Sequence, residues 1–215
     1  MLLLIITDTA CSPPPKREDG NYNTATEELA NLPTLDLESY EADSVILKKE
    51  VADSLFHKGK RLVQISSSTL LQTLLQAIEK QKVAGAIQYC NVRAIPLIDS
   101  LSRAHKAVFK RAALLVRNPK DAPDAQEKEV LQTYLYQAQK VRILRPILKK
   151  REKDTIAYYH PILITMPQCL SCHGRVGENI NVEDYQLIKS LYPNDRAIGY
   201  NKGDLRGIWS IKFYN

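Results

Sequence analysis

Two cysteines and a histidine in one short motif are the residues of this chain best placed to do chemistry. Cys169, Cys172 and His173 have the C-x-x-C-H spacing of a c-type haem attachment site. Thiols three positions apart can each add to one vinyl group of the same porphyrin, and the adjacent imidazole can bind the iron. The motif therefore predicts one covalent haem c per chain, with both cysteines in thioether bonds and His173 as the proximal ligand.

Two other uses of paired cysteines fit the surrounding sequence less well. A structural zinc site needs a second close pair of ligands, and the other cysteines and histidines are single and scattered. A thioredoxin-like dithiol lies at a strand-to-helix turn, whereas Gly174, Gly177 and polar residues follow this motif. Haem attachment is therefore the favoured interpretation.

The second axial ligand of such a haem is less obvious. The chain has two methionines, Met1 and Met166, and Met166 is too close to the attachment motif to reach the opposite face of the porphyrin. The alternatives are an open position or one of four side chains, which are His57, Cys90, His105 and His160.

Cys90 is the best of these candidates. It belongs to a helical stripe of apolar residues that faces the core, together with Ile87, Ala94, Ile98 and Leu101. A buried cysteine is usually inert, but a ferric haem in the same core would stabilise its thiolate. Each histidine taken alone is more typical of a structural or surface residue.

Composition and charge narrow the functional classes. The 215 residues are 44% hydrophobic, which is enough for one domain with a core, and no apolar run is long enough to span a membrane. The net charge is +6, but the basic residues are scattered apart from the run 149–153, which is typical of a solvated turn. We therefore expect an acidic redox or signalling partner protein and no nucleic-acid partner.

The first forty residues differ in composition from the rest. A short apolar run at 2–6 leads to Cys11 and resembles the end of a bacterial lipoprotein signal, although no positive residue precedes it. We expect residues 1–10 to be a truncated signal or lipoprotein leader, 11–40 a flexible tether, and 41–215 one folded domain. The protein would then be exported to the periplasmic side, with membrane contact only through a lipid on Cys11.

Hydrophobic periodicity predicts helices first and strands mostly in the second half. Helical stripes cover 47–55, 70–78 with a start signal at Ser66 to Ser68, and 83–104, which Pro96 should kink or interrupt. Strands are predicted at 106–116, 157–165 and 209–213, and further helices at 130–138 and 182–191. The chain should therefore form an α+β domain with an antiparallel sheet.

Several motifs occur in an order that resembles one known family. They are Tyr89-Cys90-Asn91, Val116-Arg117-Asn118-Pro119, Tyr159-His160-Pro161-Ile162, and the segments 169–174, 199–200 and 203–210. Together they resemble the family of c-type haem domains with a PAS-like fold, long catalogued as a domain of unknown function and also found fused to bacterial sensor kinases. The resemblance covers about 41–215.

The resemblance implies a PAS-like α+β fold, a covalent haem and histidine/cysteine axial ligation. By position it makes His173 the proximal ligand and Cys90 the distal ligand. It also implies that Arg117 and Arg206 pair with haem propionates. His160 departs from the family, which favours arginine at this position, so no propionate role carries over to it.

Two functions are expected for such a site. The first is a haem-based redox or gas sensor, because release of Cys90 on reduction would open the iron to NO or CO and move the helix. The alternative is a low-potential periplasmic electron-transfer cytochrome that docks by its basic surface. No pair of residues points to acid–base chemistry at an open iron position, so the protein is not expected to be an enzyme.

Overall fold

The computed structural model describes residues 49–140, 143–152 and 155–214. The predicted leader, the predicted tether and Cys11 lie outside these residues and stay predictions. Within the described ranges, no helix is both long enough and apolar enough to cross a membrane.

The longest element is α1 (Lys49–His105), a helix with one break inside it. Gln81 and Lys82 leave the helical region of backbone angles, and Lys82 has a φ of 57° and a ψ of −165°. The break divides α1 into a first segment, 49–80, and a second segment, 83–105. It falls between the second and third helical stripes that the periodicity predicts.

Two other helix boundaries expected within α1 are wrong. The hydroxyls of Ser68 and Thr69 both donate to the Ile65 carbonyl, at 3.0 and 2.8 Å, so these polar side chains are satisfied inside a continuous helix. Helical backbone angles also continue through Pro96. Proline has no N–H to donate to the carbonyl four residues earlier, which is that of Val92. Both Val92 and Pro96 are exposed, so water can donate to this carbonyl instead.

After α1 the chain forms a four-stranded antiparallel sheet with short helices between its strands. The strand order is β1-β4-β3-β2, so the last strand pairs with both the first and the third. In chain order the elements are β1 (Val108–Ala112), a 3-10 turn (Pro119–Asp121), α2 (Ala125–Gln139), β2 (Ile147–Lys150), β3 (Ile156–Leu163), α3 (Pro167–His173), α4 (Val182–Leu191) and β4 (Leu205–Phe213).

The two faces of the sheet pack against different helices. Because side chains alternate along a strand, neighbouring residues such as Tyr158 and Tyr159 lie on opposite faces. Tyr158 packs with Trp209 and α1, whereas Tyr159 packs with Ile208 and α2. The face toward α1 is the one that borders the candidate site.

Strand β2 is absent from the sequence prediction, which treats the run 149–153 as a solvated turn. That expectation is wrong for Lys149 and Lys150, which end the strand. Lys149 is only 8% exposed, and its ammonium lies 2.6 Å from the Glu129 carboxylate. This ion pair allows a lysine to lie largely buried in the sheet.

The other predictions of fold agree with the structure. Helix α4 covers the predicted 182–191, and β1, β3, β4 and α2 all fall on predicted elements of the same type. The expected α+β class, with long N-terminal helices and an antiparallel sheet in a single domain of PAS-like layout, is confirmed.

Helix α1 approaches the sheet closely at Gly59, which gives the first testable prediction. A Cβ atom at this position would lie 2.3 Å from Cγ of the fully buried Tyr158 ring. Gly59→Ala should lower the free energy of unfolding by at least about 1 kcal/mol, because overpacking outweighs the gain in helix propensity. Urea unfolding measures the change, and Lys60→Ala at the exposed neighbouring position is the control. A more stable Gly59→Ala variant would contradict this packing.

Candidate functional site

A cavity of about 350 Å³ lies between the two segments of α1, the adjoining sheet face and α3. This volume is in the range of small-molecule and cofactor pockets, about 300–1,000 Å³. Most of its wall is apolar. The first segment of α1 contributes Ser67, Leu70, Leu71, Leu74 and Ile78, and the second contributes Ala86, Ile87, Cys90, Ala94 and Ile95.

All six residues predicted to bind a cofactor line this cavity: Cys90, Arg117, Cys169, Cys172, His173 and Arg206. Of the four described side chains left open as a second iron ligand, only Cys90 does so. His57 is exposed, the His105 ring lies 6.2 Å from the Phe109 ring, and His160 Nδ1 lies 3.3 Å from the Tyr158 hydroxyl.

The C-x-x-C-H motif occupies the short helix α3, which follows β3. Pro167 is at the start of the helix, where its missing N–H costs no hydrogen bond. Cys169 and Cys172 are three residues apart and therefore share one face of the helix. The helix ends at Gly174, where an added Cβ would lie 2.4 Å from Asn179 Oδ1 and 2.7 Å from the Leu170 carbonyl oxygen.

The imidazole of His173 is held in one tautomer. Its Nδ1 lies 2.7 Å from the Ala197 carbonyl oxygen, which can only accept, so Nδ1 carries the proton and Nε2 carries the lone pair. Burial lowers the pKa of His173 well below its ordinary value, and the charges of Arg206 and Arg117 lower it further. A neutral imidazole with Nδ1–H bonded to a backbone carbonyl is the usual state of a metal-binding histidine.

The thiols of Cys90 and Cys172 are protonated at neutral pH. Burial raises the pKa of Cys90, against the opposing charges of Arg111 and Arg117. Burial also raises the pKa of Cys172 to about 11; Arg117 opposes this rise and the neighbouring Cys90 adds to it. Cys90 and Cys172 both line the same cavity.

Arg117 lines the cavity, but its guanidinium is already bound by groups of the protein. Its Nε and Nη2 each donate to one carboxylate oxygen of Asp195 at 3.1 Å, and Nη2 also donates to the Cys172 carbonyl at 2.6 Å. The Arg117 side chain is 12% exposed and the Asp195 side chain is 0% exposed. This arginine therefore already has a carboxylate partner within the protein.

Arg206 differs from Arg117 because its guanidinium has no carboxylate partner among the described residues. Its Nη1 donates to the Leu115 carbonyl at 3.2 Å, and its guanidinium lies 5.5 Å from the centre of the Tyr200 ring. Its Nε is buried without a hydrogen-bond partner, and burial lowers the pKa of Arg206. A buried cation with an unused donor at a cavity suits an anionic ligand group.

Sequence reasoning did not single out four residues that shape the site: Arg111, Asp121, Asp195 and Ala197. Arg111 and Asp121 both line the cavity, with Nη2 and Oδ2 at 3.7 Å. An arginine in a predicted apolar strand is a signal that could have pointed to Arg111. No sequence signal marks the Ala197 carbonyl, because any residue offers the same backbone oxygen.

Together these groups can hold a large apolar molecule that carries negative charge at one edge. The wall supplies two thiols on one helix face, a neutral imidazole, a third thiol on another helix, and a buried guanidinium. The structure is thus that of a single-domain α+β protein built around an apolar cavity with cysteine and histidine side chains.

Comparison with known proteins identifies the family of this chain. A model of the Tll0287-like family matches residues 38–213, and the chain belongs to that family. The resemblance found from the motifs is thereby confirmed. No curated protein matches the chain. Among solved structures, the cyanobacterial heme-protein Tll0287 is similar, with 22% sequence identity and a TM-score of 0.49 over 72% of this chain and 94% of that chain.

The different surroundings of the two arginines lead to a testable prediction. Arg117→Met leaves Asp195 buried without its partner, so it should lower the free energy of unfolding by about 3–5 kcal/mol. Arg206→Met removes a buried charge that breaks no ion pair, so the loss should be far smaller. Urea unfolding of both variants, with the exposed Arg93→Met as control, measures the difference. Equal losses of unfolding free energy in the two variants would contradict the conclusion that Arg117, and not Arg206, pairs with a buried carboxylate.

Proposed function

We propose that this protein carries one covalently attached haem c in the cavity and acts as a haem-based redox or gas sensor. The observation that carries the proposal is the convergence of Cys169, Cys172, His173 and Cys90 on one apolar cavity. These residues come from two separate helices. The cavity combines a thioether attachment motif with two further side chains able to bind iron.

The attachment chemistry suits a protonated thiol at Cys172. Each thiol adds across the C=C bond of one vinyl group: sulfur bonds to one carbon, the thiol hydrogen goes to the other, and no electrons are gained or lost. The position of Cys169 and Cys172 on one face of α3 supports attachment of both thiols to a single porphyrin. The protonated Cys172 thiol supplies the hydrogen that this addition requires.

His173 and Cys90 are the proposed iron ligands. The hydrogen bond from His173 Nδ1 to the Ala197 carbonyl leaves Nε2 as the nitrogen able to bind a metal. Cys90 is on the second segment of α1, a different part of the cavity wall from α3. When bound, the haem supplies one-electron redox chemistry and, at a free iron position, binding of a diatomic gas.

Arg206 is the proposed partner of a haem propionate. Its buried, unpartnered Nε and its position at the cavity wall support this role. Arg117 is less suited, because Asp195 already occupies its guanidinium in a two-point contact. We therefore assign propionate pairing to Arg206 and a different role to Arg117.

The backbone near Cys90 favours sensing over electron transfer. The second segment of α1, which carries Cys90, is joined to the first at Lys82, whose backbone angles fall in a region normally restricted to glycine. Such strain costs of order 1–3 kcal/mol and is typical of elements that switch between two arrangements. A helix that can move with Cys90 is what a ligand-release sensor needs.

The cellular setting remains part of the proposal. Export to the periplasmic side and a lipid on Cys11 would place the haem domain near a membrane surface, and the net charge of +6 suits an acidic signalling or redox partner. We propose no enzymatic activity for the site.

Absorption spectra test the haem and its second ligand. Protein co-expressed with a cytochrome c maturation system should keep its haem after denaturation, and Cys169→Ser with Cys172→Ser should lose it, because both thioether bonds are absent. Cys90→Ala should keep the covalent haem but change the ferric spectrum, whereas Ser67→Ala, at another cavity position, should not. An unchanged ferric spectrum in Cys90→Ala would exclude the cysteine ligand, and absence of covalent haem would exclude the whole proposal.

Addition of CO separates sensing from electron transfer. The reduced wild-type protein should bind CO if Cys90 leaves the iron, and Cys90→Ala should bind it more tightly. A reduced wild type that excludes CO, beside a Cys90→Ala variant that binds it, would instead identify a six-coordinate electron carrier.

Lys82→Gly tests the joint between the two segments of α1. Glycine relieves the backbone strain of the observed arrangement, so release of Cys90 should become harder and CO affinity of the reduced protein should fall by up to about tenfold. CO titration measures this change. Lys80→Gly, inside the first segment, is the control, and it should lower stability by about 1 kcal/mol. A CO affinity unaffected by Lys82→Gly would show that the joint takes no part in ligand release.

A further inference from the structure

The Ala197 carbonyl accepts hydrogen bonds from two side chains. His173 Nδ1 lies 2.7 Å from the oxygen, and Arg117 Nη2 lies 3.4 Å from it. A carbonyl oxygen has two lone pairs and can serve both donors, but each donor weakens its bond to the other. The direction and strength of the His173 hydrogen bond therefore depend on where Arg117 is held.

Asp195 fixes both Arg117 and the Ala197 peptide. Its carboxylate binds Arg117 at two points, and its Oδ1 also accepts the Ala197 N–H at 2.9 Å. Arg117 in turn donates to the carbonyl of Cys172, the residue before His173. The contacts form a closed ring from Asp195 through Ala197, His173, Cys172 and Arg117 back to Asp195.

The ring is largely buried, which makes its geometry specific. Bidentate arginine–carboxylate contacts restrict orientation as well as distance, and low solvent access strengthens them. Two backbone hydrogen bonds add to this restriction, from Gly199 N–H to the Gly174 carbonyl and from Tyr200 N–H to the His173 carbonyl. The segment that carries Ala197 thus has few ways to move relative to the motif.

We propose that Arg117 and Asp195 are positioning residues for His173. They touch neither iron nor porphyrin in this role; they set the orientation of the imidazole and the strength of its Nδ1 hydrogen bond through the Ala197 carbonyl. The strength of that bond controls the basicity of Nε2 as a ligand. Arg117 and Asp195 would therefore tune the iron through its proximal ligand rather than through a propionate.

Two measurements test this proposal. Only the second, which is made on the haem-loaded protein, rests on the proposed haem function. Full-length protein made without haem and labelled with ¹⁵N-histidine reports the Nδ1 proton of His173 by NMR. Asp195→Asn puts an amide N–H₂ beside the Arg117 guanidinium and removes the charge that holds it. Exchange of the His173 Nδ1 proton should then speed up at least tenfold. In haem-loaded protein, the same variant should shift the ferric low-spin EPR g values.

Asp124→Asn is the matched control, because it makes the same chemical change in a two-point arginine contact, the one with Arg151, and Asp124 does not line the cavity. It should leave both the exchange rate and the g values unchanged. Arg117→Lys keeps the positive charge but loses the two-point contact, so it should act like Asp195→Asn and serves if that variant fails to fold. Equal behaviour of Asp195→Asn and Asp124→Asn in both measurements would overturn the proposal. Failure of haem loading alone would count against the proposed function and leave the exchange measurement decisive.

Discussion

The buried ion pair of Arg117 and Asp195 is the interaction on which the site depends most. It joins the loop after β1 to the segment before β4, and Arg117 extends the link to the C-terminal end of α3 through the Cys172 carbonyl. The pair has little access to solvent. If one partner is lost, water therefore cannot take its place beside the other charge. This contact helps to hold the C-x-x-C-H helix in place, together with the hydrogen bonds from the segment 195–200.

The cavity consequently has two kinds of wall. The wall formed by α3 is held by side-chain and backbone hydrogen bonds from the segment 195–200. Another part of the wall is the second segment of α1, attached through the strained backbone at Lys82. In the proposed haem site, His173 held by these bonds and Cys90 on a separately joined helix segment would form an asymmetric pair of ligands. That asymmetry is the physical basis for proposing that Cys90 moves and His173 stays in place.

Charge explains why an apolar cavity at this place in the fold suits an anionic group. Arg111, Arg117 and Arg206 all line it, and Asp121 and Asp195 lie beside the first two. Arg206 is left as a buried cation that no described carboxylate contacts. A porphyrin, which is apolar over most of its area and carries two carboxylates at one edge, matches both properties of the wall.

The sequence by itself determined what depends on local spacing: the C-x-x-C-H motif, the helical stripe of Cys90, helix α4 and the α+β class. It failed where distant residues decide the outcome. Lys149 joins a strand because Glu129 pairs with it, and α1 continues through Pro96 because that turn of the helix faces solvent. The role of Arg117 depends on Asp195, 78 residues away. Periodicity and residue spacing act over a few positions and can be read from the sequence. Which charged residues pair in the interior depends on how distant segments fold together, so only the tertiary structure decides it.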